Sequence, residues 1–257
     1  MTWWHALIVV VAGIWAGTIN AVVGSGTLVT FPVLVALGYP PVTATTSNAI
    51  GLAPGTLSGA WGYRHELKGY WPQAAKFAVA SFLGAIGGTV LLLSLPKDAF
   101  EAVVPVLVGL AVVLVIVQPK VSKWVADRRE QNGTEQKAGP LLMFFIFLIG
   151  IYGGYFTAAQ GVMLMAVMGM LLSEPLQKLN GVKNVLAAVV NLVAGLIYAF
   201  VAPISWAVVL WLAIGSTAGG FLGAKIGRRL SPAVLRGVIV VIGVAAVIQL
   251  VVKQFAS

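Results

Sequence analysis

The chain contains no cysteine and carries little charge. Without cysteine it forms no disulfide and offers no thiolate to a metal or a substrate. Charged residues make up only 9% of its 257 residues, whereas 60% are hydrophobic. A soluble domain of this length needs far more charge to cover its surface, so the composition predicts a membrane protein.

The apolar residues form long runs instead of alternating with polar ones. Alternation over about ten residues would indicate an outer-membrane barrel, and it is absent. Eight runs are long enough to cross a hydrocarbon core of roughly 30 Å. They cover residues 5–23, 43–62, 72–95, 99–118, 141–159, 179–201, 206–224 and 233–252. We therefore predict an all-α integral membrane protein that crosses the lipid bilayer several times.

Signatures of catalysis and of nucleotide binding are also missing. The sequence has no HExxH motif, paired catalytic acid or Walker loop, and no histidine accompanies the serine of Gly24-Ser25-Gly26. The net charge of +9 comes from basic residues at the ends of apolar runs, as membrane topology requires. We expect no enzymatic activity, cofactor, metal or nucleic-acid partner. An intramembrane enzyme and a non-transporting assembly subunit remain as alternatives.

Carboxylates are absent from the middle of the apolar runs. Cation transporters and proton-coupled pumps usually keep a carboxylate at membrane depth, so a cation substrate is disfavoured. All seven acidic residues lie in or beside predicted loops: Glu66, Asp98, Glu101, Asp127, Glu130, Glu135 and Glu174.

What the chain does contain is a repeat with an offset of about 135 residues. The run 13–17 followed by Gly24-Ser25-Gly26 recurs as the run 150–154 followed by Gln160-Gly161. Three further landmarks match in the same order: Asn48 and Gly59 with Asn184 and Gly195, Trp71 with Trp206, and the run 84–88 with 219–223. Four ordered landmarks indicate two related halves.

The repeat divides the chain into a first transmembrane half, residues 1–118, a polar linker, residues 119–139, and a second half, residues 140–257. Each half has about four long helices and one short element, a glycine-broken half-helix or hairpin, from Thr27 to Gly38 or from Val162 to Leu172. At 1.5 Å per residue each short element covers only about 18 Å, too little to cross alone. Short, glycine-interrupted elements in corresponding positions indicate the binding site of a transporter.

The distribution of basic residues predicts that the second half is inverted. With five passes in each half, 14 of the 16 basic residues face one side, and only Lys97 and Lys253 face the other. With four passes in each half, the two sides of the membrane carry equal numbers of basic residues, which the positive-inside rule disfavours. The linker is then cytoplasmic and both termini lie outside. The 14 are Arg64, Lys68, Lys76, Lys120, Lys123, Arg128, Arg129, Lys137, Lys178, Lys183, Lys225, Arg228, Arg229 and Arg236.

Polar residues within the apolar runs are the candidate ligands. Thr45, Thr46, Ser47 and Asn48 follow Pro40-Pro41, where a helix is expected to start and its first N–H groups have no intrahelical partner. Hydroxyls, free N–H groups and the positive end of a helix dipole together favour an anion. Helix capping and interhelical hydrogen bonds are the structural alternative.

In the second half the matching helix carries Lys183 and Asn184 about two turns from its start. A lysine at this depth would supply positive charge to an anion, or it would extend to the cytoplasmic surface. Asn184 corresponds to Asn48, and the two would bind the anion or form a polar clasp between helices.

The run from Gly24 to Leu34, with Gly38 and the step from Ala44 to Asn48, resembles the first-half signature of the TauE/SafE sulfite exporter family. The pattern around Asn184 and the run 219–223 is also similar to that family. The resemblance implies a secondary carrier of small sulfur-containing anions in a bacterial inner membrane. Ser25 departs from the longer glycine run that family members often have.

Together these observations predict a secondary transporter, most simply an exporter, of sulfite or an organosulfonate. One half would rock against the other to give alternating access. An anion channel and an uptake permease for another small oxyanion or carboxylate remain alternatives, and a homo-oligomer is left open. The predicted substrate-binding residues are Gly24, Ser25, Gly26, Thr45, Thr46, Ser47, Asn48, Gln160, Gly161, Lys183 and Asn184.

Overall fold

The protein is described here from a computed structural model, which covers residues 2–132, 139–226 and 232–256. Within these ranges helices are the only regular secondary structure, and there is no strand. The ten helices of the described residues are α1 Trp3–Val22, α2 Thr27–Ala36, α3 Pro41–Gly62, α4 Trp71–Ser94, α5 Lys97–Asn132, α6 Pro140–Tyr155, α7 Gln160–Leu171, α8 Leu176–Val201, α9 Trp206–Ile226 and α10 Pro232–Ala256.

Six helices of the described chain are long and apolar enough to cross a membrane, namely α1, α4, α5, α8, α9 and α10. The predicted all-α, multi-pass membrane protein is therefore confirmed. The remaining two predicted runs are also helical, but α6 has only 16 residues. Helix α3 has 22 residues, and its hydroxyl and amide side chains make it less apolar than the others.

The short elements α2 and α7 have 10 and 12 residues, close to the predicted lengths. The second helix break lies earlier than we expected, because Gln160 and Gly161 already belong to α7. The chain turns instead at residues 156–159, where Thr157 and Ala159 adopt the left-handed backbone conformation.

Helix α5 also continues into the segment that we expected to be an unstructured linker. It runs to Asn132, because the polar residues beyond Pro119 include good helix formers such as Lys, Arg and Glu. Residues 133–138 of the linker lie outside the described residues, as do the basic residues Lys137, Arg228 and Arg229.

The two halves of the chain interlock. Helix α1 packs most extensively on α9, and α6 packs on α4, so each pair joins one half to the other. Glycines allow these backbones to approach closely: a Cβ at Gly17 would lie 2.7 Å from the N atom of Gly220, and one at Gly84 would lie 2.9 Å from the Cα of Gly150.

Helices α3 and α8 cross the centre of the bundle side by side in opposite directions. Gly59, near the end of α3, faces Asn184 near the start of α8, whereas Gly195 near the end of α8 faces Ile50. One hydrophobic core surrounds α1, α2, α5 and α10, and a second joins α4, α6, α7 and α8. Both helix breaks lie in the first core, which includes Val23, Leu28, Phe156, Ala158 and Ala159.

Candidate functional site at the two helix breaks

The first helix break touches the start of α7, directly after the second break, through a pair of glycines. The N–H of Gly161 donates to the carbonyl of Gly24 at 3.0 Å. Gly24 has a φ of +89°, and a Cβ placed on it would lie 2.5 Å from the Cα of Gly161. Glycine is required at residue 24 both for its backbone conformation and for this close approach.

The second break is strained. Thr157 and Ala159 have φ values of 69° and 58°, which non-glycine residues adopt at a cost of about 1–3 kcal/mol each. The Thr157 hydroxyl donates to the carbonyl of Gly153 at 2.7 Å and holds the turn against α6. Such strain persists only where the surrounding structure enforces it, and it is concentrated at functional sites.

Lys183 extends from α8 to this region and is completely buried. Its ammonium donates to the carbonyls of Asn20 and Ala21, at 3.0 and 3.1 Å. Both carbonyls belong to the last turn of α1, whose final carbonyls lack intrahelical partners and form the negative end of the helix dipole. No carboxylate of the described residues pairs with the ammonium, and one of its three donor positions is left for another acceptor.

Asn184, like Lys183, connects α8 to the end of α1. Its amide nitrogen donates to the carbonyl of Ala21 at 3.2 Å and to that of Asn180 at 3.0 Å. Asn20, whose carbonyl binds Lys183, also accepts a hydrogen bond at its side-chain oxygen from the N–H of Gly26 at 2.9 Å. This polar cluster therefore fixes the end of α1, the break and the start of α2 relative to α8.

A second polar cluster surrounds Asn48. The Thr30 hydroxyl donates to the side-chain oxygen of Asn48 at 2.5 Å, and the amide nitrogen of Asn48 donates to the Thr27 hydroxyl at 3.2 Å. All three side chains are buried. The cluster joins α3 to the first turn of α2, immediately after the Gly24-Ser25-Gly26 break.

The structure does not bring Asn48 and Asn184 together. Asn184 faces Gly59, which lies eleven residues beyond Asn48 in α3, or roughly 16 Å along the helix axis. The two asparagines occupy matching positions in the two halves, yet each contacts a different set of partners. Where the two segments come together, Gly24 lies against Gly161 and the side chain of Lys183.

Two of the predicted hydroxyl ligands contact the connection between α8 and α9 instead of the breaks. The Thr46 hydroxyl donates to the carbonyl of Pro203 at 2.6 Å, and the Ser47 hydroxyl accepts from the N–H of Ser205 at 3.0 Å. Helix α3 begins at Pro41, so the first-turn N–H groups that have no intrahelical partner lie before Thr45. They therefore do not belong to the residues from Thr45 to Asn48, where we expected them.

Three buried side chains of the predicted site have polar atoms without a hydrogen-bond partner in the described structure. These atoms are Ser25 Oγ, Thr45 Oγ1 and both polar atoms of Gln160. An unsatisfied buried polar group costs about 1–3 kcal/mol, so a polar ligand in contact with these atoms would recover free energy. Ser25 and Gln160 are only 1% and 2% exposed, which shows that the region is closed to solvent in this conformation.

Aromatic side chains pack beside the breaks. The ring of Phe156 contacts Phe31 edge to face at 5.2 Å between centroids and lies 6.2 Å from Phe100. Phe100 stands at the start of α5, and its ring is also 5.5 Å from that of Tyr155. We call Phe31, Phe100, Tyr155 and Phe156 the aromatic cluster; its three phenylalanines are almost completely buried.

Sequence reasoning did not place Asn20, Thr27 or Thr30 in the site. Thr27 and Thr30 are one helical turn apart directly after the glycine break. This spacing could have indicated that both hydroxyls lie on one face of α2. The left-handed conformations of Thr157 and Ala159 had no signal, because both residue types usually avoid them.

Comparisons with known proteins give one family model and several membrane transporters. The family model described as sulfite exporter TauE/SafE matches residues 9–250. The probable membrane transporter protein YfcA of Escherichia coli K12 is 26% identical over 216 residues, which is 84% of this chain and 76% of that protein. A probable membrane transporter protein of Haemophilus influenzae is 26% identical over 246 residues, covering 94% and 92% of the two chains. No solved structure gives a significant match.

Proposed function

This chain belongs to the sulfite exporter TauE/SafE family of membrane transporters, and we propose that it is a secondary transporter of a small sulfur-containing anion, such as sulfite or an organosulfonate. The direction that we propose is export. The substrate would bind where the two helix breaks meet, beside Gly24, Gly161 and Lys183.

The observation that carries this proposal is the buried cation Lys183. Moving an ammonium out of water costs several kcal/mol, which two carbonyl hydrogen bonds offset only in part. An anion would supply the missing opposite charge and accept from the third donor position. Ser25 and Gln160, with their unpartnered polar atoms, would bind its remaining oxygens.

The closed state of the site supports a carrier that works by alternating access. Lys183 and Asn184 are 0% and 1% exposed, so a substrate reaches them only after a conformational change. A channel would instead need a continuous path in its conducting state.

We propose that the moving parts differ from the two halves of the chain that we first expected to move. Tight pairing of α1 with α9 and of α4 with α6 ties the halves together. The described helices instead form two groups, α1, α2, α3, α9, α10 and α4, α5, α6, α7, α8, which meet mainly where α3 packs on α8 and α5 on α10. Sliding at these two interfaces would expose the site to either side.

The same packing supports an inverted repeat. Helices α3 and α8 hold corresponding positions in the two halves and run in opposite directions. The packing of α1 on α9 likewise corresponds to that of α6 on α4. With the charge distribution of the sequence, we propose that the segment between the halves is cytoplasmic, in a bacterial inner membrane.

Counterflow in proteoliposomes tests this function. Purified protein is reconstituted into vesicles loaded with unlabelled sulfite, and entry of labelled sulfite is followed with sulfate, thiosulfate and organosulfonates as competitors. We expect saturable counterflow that one of the sulfur anions inhibits. Flux that grows linearly with concentration and shows no counterflow would indicate a channel, and no flux of any sulfur anion would refute the substrate class.

Lys183→Met tests the site itself. Methionine removes two charge-assisted hydrogen bonds, worth about 1.5–3 kcal/mol each, but also the buried charge, whose desolvation costs several kcal/mol. We expect a melting temperature close to that of the wild type, with counterflow and ligand-induced thermal shift lost. Lys76→Met is the matched control, because Lys76 is an exposed lysine at the start of α4. Wild-type transport by Lys183→Met would refute the assignment.

A further inference from the structure

A groove opens on the surface of the protein at the end of the bundle where α3 leads into α4. Its volume is about 570 Å³, and its walls come from α3, the connection at residues 63–70, α4 and α8. None of its lining residues belongs to the proposed substrate site, although Val185 of the groove follows Lys183 and Asn184 on α8.

The inner part of the groove is apolar. Leu57 of α3 and Leu192 of α8 are each 44% exposed, and Val185 and Val189 of α8 continue the same lining. In a chain that crosses a membrane, an exposed apolar strip along two helices contacts acyl chains. The strip runs parallel to α8 over residues 185–192, about 10 Å, which is a length that part of one acyl chain can cover.

The rim of the groove is cationic and aromatic. Arg64, His65 and Lys68 line it together with Trp61 and Trp71. The two tryptophans are 61% and 46% exposed, as is typical of rings at the boundary between headgroups and acyl chains.

The guanidinium of Arg64 has free hydrogen-bonding capacity. The Arg64 guanidinium stacks on the Trp61 ring at 4.5 Å and donates one hydrogen bond to the Trp61 carbonyl at 2.9 Å. Four of its five donors therefore have no partner in these two contacts. The nearby Glu66 does not line the groove, so the lining residues carry positive charge only.

We propose that this groove binds an anionic phospholipid. The headgroup phosphate would lie between Arg64 and Lys68, the tryptophans would flank the glycerol region, and an acyl chain would lie along Leu57 and Leu192. Basic pockets between membrane helices bind anionic headgroups in this way. A free oxyanion would use the cations but not the apolar strip, and a zwitterionic lipid would place its own cation against the basic rim.

Native mass spectrometry tests the proposal. The protein is equilibrated in mixed micelles with equal amounts of phosphatidylglycerol and phosphatidylcholine, and the retained lipids are counted. We expect preferential retention of phosphatidylglycerol, reduced roughly thirtyfold by the double substitution Arg64→Ala, Lys68→Ala, since each cation near the surface contributes about one factor of five. Lys76→Ala is the matched control: this exposed lysine lies in the second turn of α4, five residues after Trp71, but does not line the groove.

Two further variants test the apolar strip and the cationic rim separately. Leu192→Trp fills the apolar strip without changing charge, and we expect it to reduce phosphatidylglycerol retention as well. If the double variant does not fold, Arg64→Gln and Leu192→Trp decide the question. Equal retention of the two lipids by the wild type would overturn the proposal, as would wild-type retention by the folded variants. Displacement of the lipid by millimolar glycerol phosphate would also overturn it, in favour of a site for free oxyanions.

Discussion

The contact between the two breaks can be tested by comparing two glycines with the same backbone conformation. Gly24 and Gly38 have φ values of +89° and +88°, so alanine at either position carries the same left-handed penalty of about 1–2 kcal/mol. They differ in their surroundings. A Cβ at Gly24 would lie 2.5 Å from Gly161 Cα and 2.8 Å from its carbonyl carbon, whereas a Cβ at Gly38 would meet no atom within 4 Å.

The difference in melting temperature and transport between Gly24→Ala and Gly38→Ala therefore measures the effect of the close contact between Gly24 and Gly161 alone. Backbone atoms have no rotamer with which to move aside, so the new methyl group forces Gly24 and Gly161 apart and breaks their 3.0 Å hydrogen bond. Overpacking of this kind costs about 1–3 kcal/mol beyond the shared penalty. We expect Gly24→Ala to melt several degrees lower than Gly38→Ala and to lose transport.

The assay combines thermal unfolding in detergent, followed by tryptophan fluorescence, with counterflow in proteoliposomes. Both variants are compared with the wild type at equal protein and lipid concentrations. Transport by Gly38→Ala near the wild-type rate would show that the left-handed penalty alone leaves function intact. Equal melting temperatures and equal transport for the two variants would refute the close contact and its role at the site.

Other contacts of the described structure can be tested with single substitutions. Phe156→Ala removes the centre of the aromatic cluster; we expect a loss of about 3–5 kcal/mol in stability and an increased anion leak across proteoliposomes, measured without counter-substrate. Thr46→Ala removes the hydrogen bond to the Pro203 carbonyl and should lower the melting temperature without changing substrate affinity, measured by competition. Burial and the neighbouring Glu174 raise the pKa of Tyr70 to about 12, so the stability due to its neutral phenol is complete below pH 10 and falls as the pH rises towards 12. Glu174→Gln should move its absorbance titration to lower pH, and an unchanged titration would refute the coupling.

Much of the helical framework could be predicted from the sequence, because its signals are local. Pro40-Pro41 and Pro175 mark the starts of α3 and α8, and the matched tryptophans 71 and 206 mark those of α4 and α9. A proline before or within the first turn of a helix costs no hydrogen bond there, because the N–H groups of that turn have no intrahelical partner. Such prolines therefore indicate a helix start whatever the rest of the fold. The end of α5 was less predictable, since a polar stretch forms either a loop or an exposed helix.

The partners of the site residues could not be predicted, because they depend on contacts between distant segments. Nothing near Lys183 in the sequence indicates that the end of α1 accepts its hydrogen bonds. The start of α7 was misplaced for a related reason. The turn uses Thr157 and Ala159 in a conformation that only the surrounding packing stabilises, whereas Gly161 serves the contact with Gly24 and not the turn.

The most informative difference between the halves is at the residue before each matched asparagine. Ser47 precedes Asn48 and accepts a hydrogen bond from the α8–α9 connection, while Lys183 precedes Asn184 and reaches the end of α1. A repeated backbone requires only that glycines and small residues match where helices touch, so side chains that do not form those contacts are free to diverge. In the repeat that we propose, this difference places one cation of the described residues, Lys183, beside the contact between Gly24 and Gly161. An anion bound there would interact with the same lysine from whichever side it entered, so one charge is sufficient for both states of a transport cycle, and a second lysine at residue 47 would only add an uncompensated buried charge.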